Sequence, residues 1–112
     1  MAFEKICTLD DVWEGDMDAF ETGNGTDVLV VGLEGGKIKA FQSMCPHQEI
    51  ELVDGEFDGK ILTCKAHLWQ FDCNTGGGIN PDDCKISEYP VKLEGDDVYV
   101  DIEGVEPFKS HS

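Results

Sequence analysis

Two short stretches hold the side chains best suited to chemistry. Cys45-Pro46-His47 is followed, after sixteen residues, by Cys64-Lys65-Ala66-His67. Each stretch offers one thiolate and one imidazole, close enough in sequence for a single tight loop to present both. Thiolate and imidazole are the ligands of zinc and of iron–sulfur centres. Zinc would take all four in one tetrahedral site. Common zinc sites, however, use Cys-x2-4-Cys or His-x3-5-His pairs of one ligand type. Here each pair is mixed, and the first has one intervening residue. A binuclear iron–sulfur centre would divide the ligands by type, two thiolates on one iron and two imidazoles on the other, so that each loop reaches both metals. That reading suits the mixed pairs best, and zinc remains the alternative. If all four were ordinary core residues, both spacings would have arisen by chance on a chain with three His.

Formal charge explains what such a ligand set would do. Two ferric ions, two bridging sulfides and two thiolates sum to zero when the imidazoles are neutral, and reduction leaves a single negative charge. With four thiolates the change would run from a double to a triple negative charge. Adding an electron to a neutral unit is easier, so two His raise the potential above that of all-Cys centres, into a range of roughly −150 to +300 mV.

These ligands need a rigid base, and the rest of the chain reads as a β scaffold. Gly23-Asn24-Gly25 between Met17–Thr22 and Thr26–Leu33 is a hairpin signal, because Asn-Gly accepts positive φ cheaply. Val28-Leu29-Val30-Val31 is a continuous apolar run, as in a strand buried on both faces. Glu34-Gly35-Gly36 turns into Lys37–Gln42, where Ile38 and Ala40 face one side and Lys37, Lys39 and Phe41 the other. Lys60–Thr63 and Leu68–Asp72 read as short strands flanking the second ligand pair. Glu88–Leu93 and Asp97–Ile102 read as a hairpin around Glu94-Gly95-Asp96, with Val98, Val100 and Ile102 on the buried face. Thr8-Leu9-Asp10-Asp11 reads as a capped single turn. No long amphipathic helix, repeat or low-complexity tract is evident. Residues 103–112 read as a surface tail, with His111 solvated. The expected fold is an all-β small antiparallel barrel or sandwich.

Composition narrows the function classes. A chain of 112 residues suits one domain with a modest core, which gains from a cofactor that clamps its loops. Net charge is −16, from 24 acidic residues against eight Lys and no Arg. Such a chain is repelled by nucleic acid and anionic membranes and steered towards basic protein surfaces. No apolar run reaches membrane-spanning length. Met1-Ala2-Phe3-Glu4-Lys5 lacks the features of a signal peptide, so the expected location is the cytoplasm. Five Cys in a reducing compartment point to metal binding rather than disulfides.

Cys45-x-His47 and Cys64-x2-His67 resemble the Rieske iron–sulfur signature. Leu68-Trp69-Gln70-Phe71-Asp72, Thr75-Gly76 and Tyr89-Pro90-Val91 come after it in the order seen in Rieske ferredoxins. The chain resembles in particular the ferredoxin components of four-component toluene monooxygenases. That likeness runs through Phe3–Cys7, Met44–Ile50, Ala66–Trp69, Ile79–Cys84 and Gly95–Asp97. It implies a Rieske fold in which a cluster-binding subdomain, about 43–84, is inserted in a β base formed by 1–42 and 85–112. It implies one [2Fe–2S] cluster held by Cys45, His47, Cys64 and His67, with the imidazole edge as the electron port. It also implies a monomeric one-electron carrier, not an enzyme, between an NADH-dependent flavin and iron–sulfur reductase and a diiron hydroxylase. Ferredoxins of ring-hydroxylating dioxygenases, or of alkene and isoprene monooxygenases, would share this chemistry. No mononuclear iron domain fits, since after the ligands only His111 remains.

Respiratory Rieske proteins resemble the chain at the ligands but add a disulfide between the loops and hydroxyl donors near the sulfides. Ile50 and Ala66 stand at the disulfide positions, and Leu68 and Trp69 come after His67 where the respiratory type has Gly and Ser. With nearby Glu49 and Glu51, this implies a low potential. Trp69 is expected to shield the cluster, help form a docking face, or simply fill the core. Gln48 and Lys65 flank ligands at a possible docking surface. Gly76-Gly77-Gly78-Ile79-Asn80-Pro81 resembles the proline-containing loop that covers Rieske clusters, with a mobile surface loop as the plainer reading. Cys7, Cys73 and Cys84 are expected to be buried free thiols, with a Cys73–Cys84 disulfide disfavoured.

Overall fold

A computed structural model describes residues 3–23, 25–33, 35, 37–44, 51–64, 69–73, 75–80, 86–102 and 105. The apolar run 28–31 organises the architecture. It lies in β3 (Asp27–Gly32), between β2 (Met17–Glu21) and β4 (Ile38–Gln42), and Val28, Leu29, Val30 and Val31 are all fully buried. Successive strand side chains point to opposite faces, so the run divides between two cores. Val28 and Val30 join Cys7, Val12, Ala40, Tyr89, Val98 and Val100. Leu29 and Val31 join Leu33, Phe41, Leu52, Leu62, Cys64, Phe71, Cys73 and Ile86. The alternation expected in 37–42 holds: Ile38 and Ala40 pack in the first core and Phe41 in the second.

Three antiparallel sheets surround these cores. β1 (Glu4–Thr8) pairs with β11 (Asp97–Val100), which pairs with β10 (Val91–Glu94). The central sheet runs β2-β3-β4-β9, with β9 at Glu88–Tyr89. The third comprises β5 (Glu56–Phe57), β6 (Ile61–Thr63), β7 (Gln70–Asp72) and β8 (Gly78–Asn80). Among the described residues, β5–β8 pair only with one another. The all-β antiparallel expectation is met, and no helix of the described residues is long and apolar enough to cross a membrane.

Local chemistry accounts for the turns. The Thr22–Thr26 pair closes the β2–β3 hairpin, with the Gly25 N–H donating to the Thr22 carbonyl at 3.0 Å and Gly25 at φ +87°. The capped turn is a 3-10 helix, Leu9–Asp11. There the Asp11 carboxylate accepts from the Thr8 backbone N–H at 2.9 Å and from its hydroxyl at 3.2 Å. Asp58 closes the β5–β6 turn by accepting from the Lys60 and Ile61 backbone N–H groups, which hold its carboxyl below the usual range.

Two expectations need correction. The stretch 88–93 is two strands in different sheets, because Pro90 has no N–H for a ladder. Its carbonyl instead accepts from the Asp101 N–H at 3.1 Å. The glycine-rich stretch is in part a strand: β8 pairs Gln70 with Asn80 and Phe71 with Gly78, leaving Ile79 unopposed as a bulge. Glycine's low strand propensity hid a segment held by backbone bonds.

Candidate metal centre

Among the predicted site residues, Cys64 and Trp69 are described; Cys45, His47, Gln48, Lys65, His67 and Pro81 lie outside the described residues. The described residues define the stems from which the two Cys/His stretches leave. At the first, β4 runs into Ser43 and Met44. Leu52 N–H donates to the Ser43 carbonyl at 2.8 Å, and Met44 and Glu51 form an antiparallel bridge. The chain therefore leaves at Met44 and returns beside it at Glu51. At the second, Thr63 opposes Gln70, and Cys64 N–H donates to the Trp69 carbonyl at 2.7 Å. At a third, Ile86 N–H donates to the Gly76 carbonyl at 2.8 Å.

One core supports all three stems. Phe41, Leu52, Cys64 and Ile86 belong to the same buried cluster, and Trp69 packs against it half-buried. Of the three roles expected for Trp69, core filling is the one its contacts display. The stretches that begin at Met44 and Cys64 therefore start from bases that one shared core fixes relative to one another. Such preorganisation is what a multi-ligand centre requires.

The donor set fits a [2Fe–2S] centre. One stem leads into a Cys/His pair and the other bears Cys64, fully buried at its base, with His67 in the stretch it spans. Among the described residues no group of three or more His, Cys, Asp or Glu gathers to hold a metal elsewhere.

Residues 2–90 match the family described as Rieske [2Fe-2S] domain. The chain belongs to this Rieske family. Over 107 residues it is 43% identical to the ferredoxin component of the alkene monooxygenase system of Xanthobacter autotrophicus, covering 94% of this chain and 83% of that one. It is 36% identical to the ferredoxin component of biphenyl 2,3-dioxygenase of Rhodococcus jostii, covering 93% and 96% respectively. The solved structure of the Sphingomonas yanoikuyae B1 ferredoxin superposes with a TM-score of 0.80 at 28% identity, covering 89% of this chain and 98% of that one. The cofactor of this Rieske protein is accordingly one [2Fe–2S] cluster.

The surplus cysteines Cys7 and Cys73 are core residues. Cys7 and Cys73 are free and buried, as expected; Cys84 lies outside the described residues. Burial, then the Asp11 and Asp18 carboxylates, push the Cys7 thiol up to about 11. Burial, then Asp72 and Asp58, push Cys73 up to about 12, against a small opposing effect of Lys39. Because both folded values lie above the ordinary thiol value of 9.0, this contribution to stability is complete below about pH 9 and is lost as pH rises through 11–12. We expect iodoacetamide at pH 8 to leave Cys7 and Cys73 unmodified in the folded protein and to label both after denaturation. Peptide mapping reads the outcome, and rapid labelling of either thiol in the folded protein would contradict their placement.

Sequence reasoning passed over one residue at the first stem. Gln42 is a buried polar residue at the end of an apolar strand, three positions before Cys45. The available signal was an amide where the alternation demanded an apolar side chain.

Proposed function

We propose that this Rieske ferredoxin carries single electrons from an NADH-dependent flavin and iron–sulfur reductase to the diiron hydroxylase of a toluene-type aromatic monooxygenase, in the cytoplasm. The observation that carries the reading is the pair of mixed Cys/His stretches rooted in two stems on one core. Cys45 and Cys64 would hold one iron, and His47 and His67 the other, within a cluster-binding unit at about 43–84. A Rieske centre supplies a site that gains and gives up one electron at a time. The chain's part is to fix that site and leave partners access to it. Trp69 covers the shared core beside Cys64, and Gln48, Lys65 and Pro81 are the positions proposed to flank the docking face. Ile50 and Ala66 leave no inter-loop disulfide, which supports a low potential; a redox titration giving a value well above zero would overturn this.

The relative from an alkene monooxygenase system favours a second reading, in which the acceptor is an alkene-oxidising enzyme of the same type. Reconstitution separates them. The purified protein, mixed with reductase and a toluene hydroxylase, should support NADH-dependent toluene oxidation. Turnover only with an alkene monooxygenase, or only with a ring-hydroxylating dioxygenase, would replace the first reading.

The −16 charge suits brief, steered encounters. Lys5, Lys39 and Lys92 already pair with Asp97, Glu88 and Glu94, which leaves a large acidic excess for partners. The second-order rate of hydroxylase reduction should therefore fall roughly tenfold or more between low and high ionic strength. A stopped-flow rate indifferent to salt would rule out steering.

A further inference from the structure

We infer that Gln42 is the positioning residue of the centre, a latch that fixes the first ligand stem to the third. This rests on the proposal that Cys45 is a ligand. Gln42 is 2% exposed, and both ends of its side-chain amide are engaged. Its Nε2 donates to the Met44 carbonyl at 2.8 Å, and its Oε1 accepts from the Ser87 backbone N–H at 2.8 Å. Its backbone N–H donates to the Ser87 carbonyl at 2.9 Å, and its Cα opposes Val28 of the central strand. Gln42 is the last residue of β4, where the rigid sheet ends.

The positions of the two partners along the chain give these bonds their effect. The bonded carbonyl of Met44 is half of the peptide unit whose nitrogen belongs to Cys45. Holding that carbonyl orients the peptide plane at which the ligand begins. Ser87 comes directly after Ile86, whose N–H closes the third stem on Gly76. One side chain thus spans two stems that are far apart in sequence. A buried amide is costly unless fully bonded, so this geometry has few alternatives. An apolar residue would fill the space but free the Met44 carbonyl. Asn is one methylene shorter and cannot span both partners.

The test uses the purified holoprotein and two variants. Gln42→Met keeps the volume and loses both bonds. Gln42→Glu keeps an acceptor for Ser87 and loses the donor to Met44. Two readouts are taken: the rate of iron release to a ferrous chelator after dithionite reduction, and hydrogen exchange at individual amides. We expect both variants to release iron at least about tenfold faster, the factor that loss of the Met44 bond, common to both, produces. Exchange at the Leu52 amide, which closes the first stem, should accelerate. Exchange at Val30 and at the Cys64 amide of the second stem should be unchanged. Wild-type iron release in both variants, or a uniform rise in exchange at all three amides, would overturn the latch. Should Gln42→Met fail to fold, Gln42→Glu decides the question. If the wild-type protein holds no [2Fe–2S] centre, the ligand reading falls; if it holds one and the variants release iron normally, only the latch falls.

Discussion

Cys64→Ala should yield a protein without iron, labile sulfide or visible absorbance, whereas Cys73→Ala should keep all three. The contrast is informative because burial does not distinguish the two cysteines. Both are fully buried, both are free, and both belong to the same apolar cluster. Replacing either removes one buried sulfur and leaves a small cavity, costing about 1–2 kcal/mol. The difference lies in the chain segments each one anchors. Cys64 sits at the base of a stem whose return bond, to Trp69, closes with His67 inside the span. Cys73 is tied to the turn that precedes β6, its N–H donating to the Lys60 carbonyl at 2.9 Å. If Cys64 is a ligand, its loss removes one of four bonds to the centre and with it the clamp that metal binding exerts on folding. Iron analysis and sulfide assay on both variants read the result directly. Full iron content in Cys64→Ala would make it a packing residue like Cys73.

Gly76→Ala should lower the melting temperature by roughly 10–20 °C, and Gly25→Ala by only a few degrees. Both glycines have positive φ, +79° at Gly76 and +87° at Gly25, so both substitutions incur the backbone cost of a left-handed residue. They differ in space. A Cβ on Gly25 meets nothing within 4 Å. A Cβ on Gly76 comes 2.8 Å from the Ile86 carbonyl oxygen and 3.4 Å from the Phe41 ring. Neither can yield cheaply, since Ile86 N–H bonds Gly76 and Phe41 is fully buried. The combined penalty is about 2–4 kcal/mol, falling on the third stem. Melting monitored by circular dichroism distinguishes the two. Equal shifts would mean that backbone strain alone matters and that the close approach at Gly76 is relieved elsewhere.

The fold was legible wherever one physical signal dominated. The run 28–31 marked a two-faced strand, the alternation at 37–42 divided the side chains between the right two faces, and that at 98–100 marked the buried face. Glycine between apolar runs located the hairpins. The misreadings came where signals competed. Pro90 divides what alternation presents as one strand, because a missing N–H outweighs side-chain pattern. Strand β8 was masked by glycines whose backbone bonds, not side chains, hold it. The Rieske family was legible in the type and spacing of the mixed Cys/His pairs, because such pairs are rare. Gln42 was not, because its role depends on Met44 and Ser87 meeting in space, which no local pattern encodes. Trp69 is an intermediate case. Its nearness to His67 in sequence left shielding, docking and packing open, and the structure adds its contact with the stem-bearing core.

A carrier whose [2Fe–2S] centre has two Cys and two His ligands leaves a distinctive spectroscopic mark. The purified protein is reduced with dithionite and studied by EPR and electron–nuclear double resonance, with iron and labile sulfide determined on the same sample. We expect iron and sulfide in equal amounts, one unpaired electron per centre, and hyperfine coupling to two imidazole nitrogens. A reduced centre without nitrogen coupling, or a colourless protein containing zinc, would contradict this assignment.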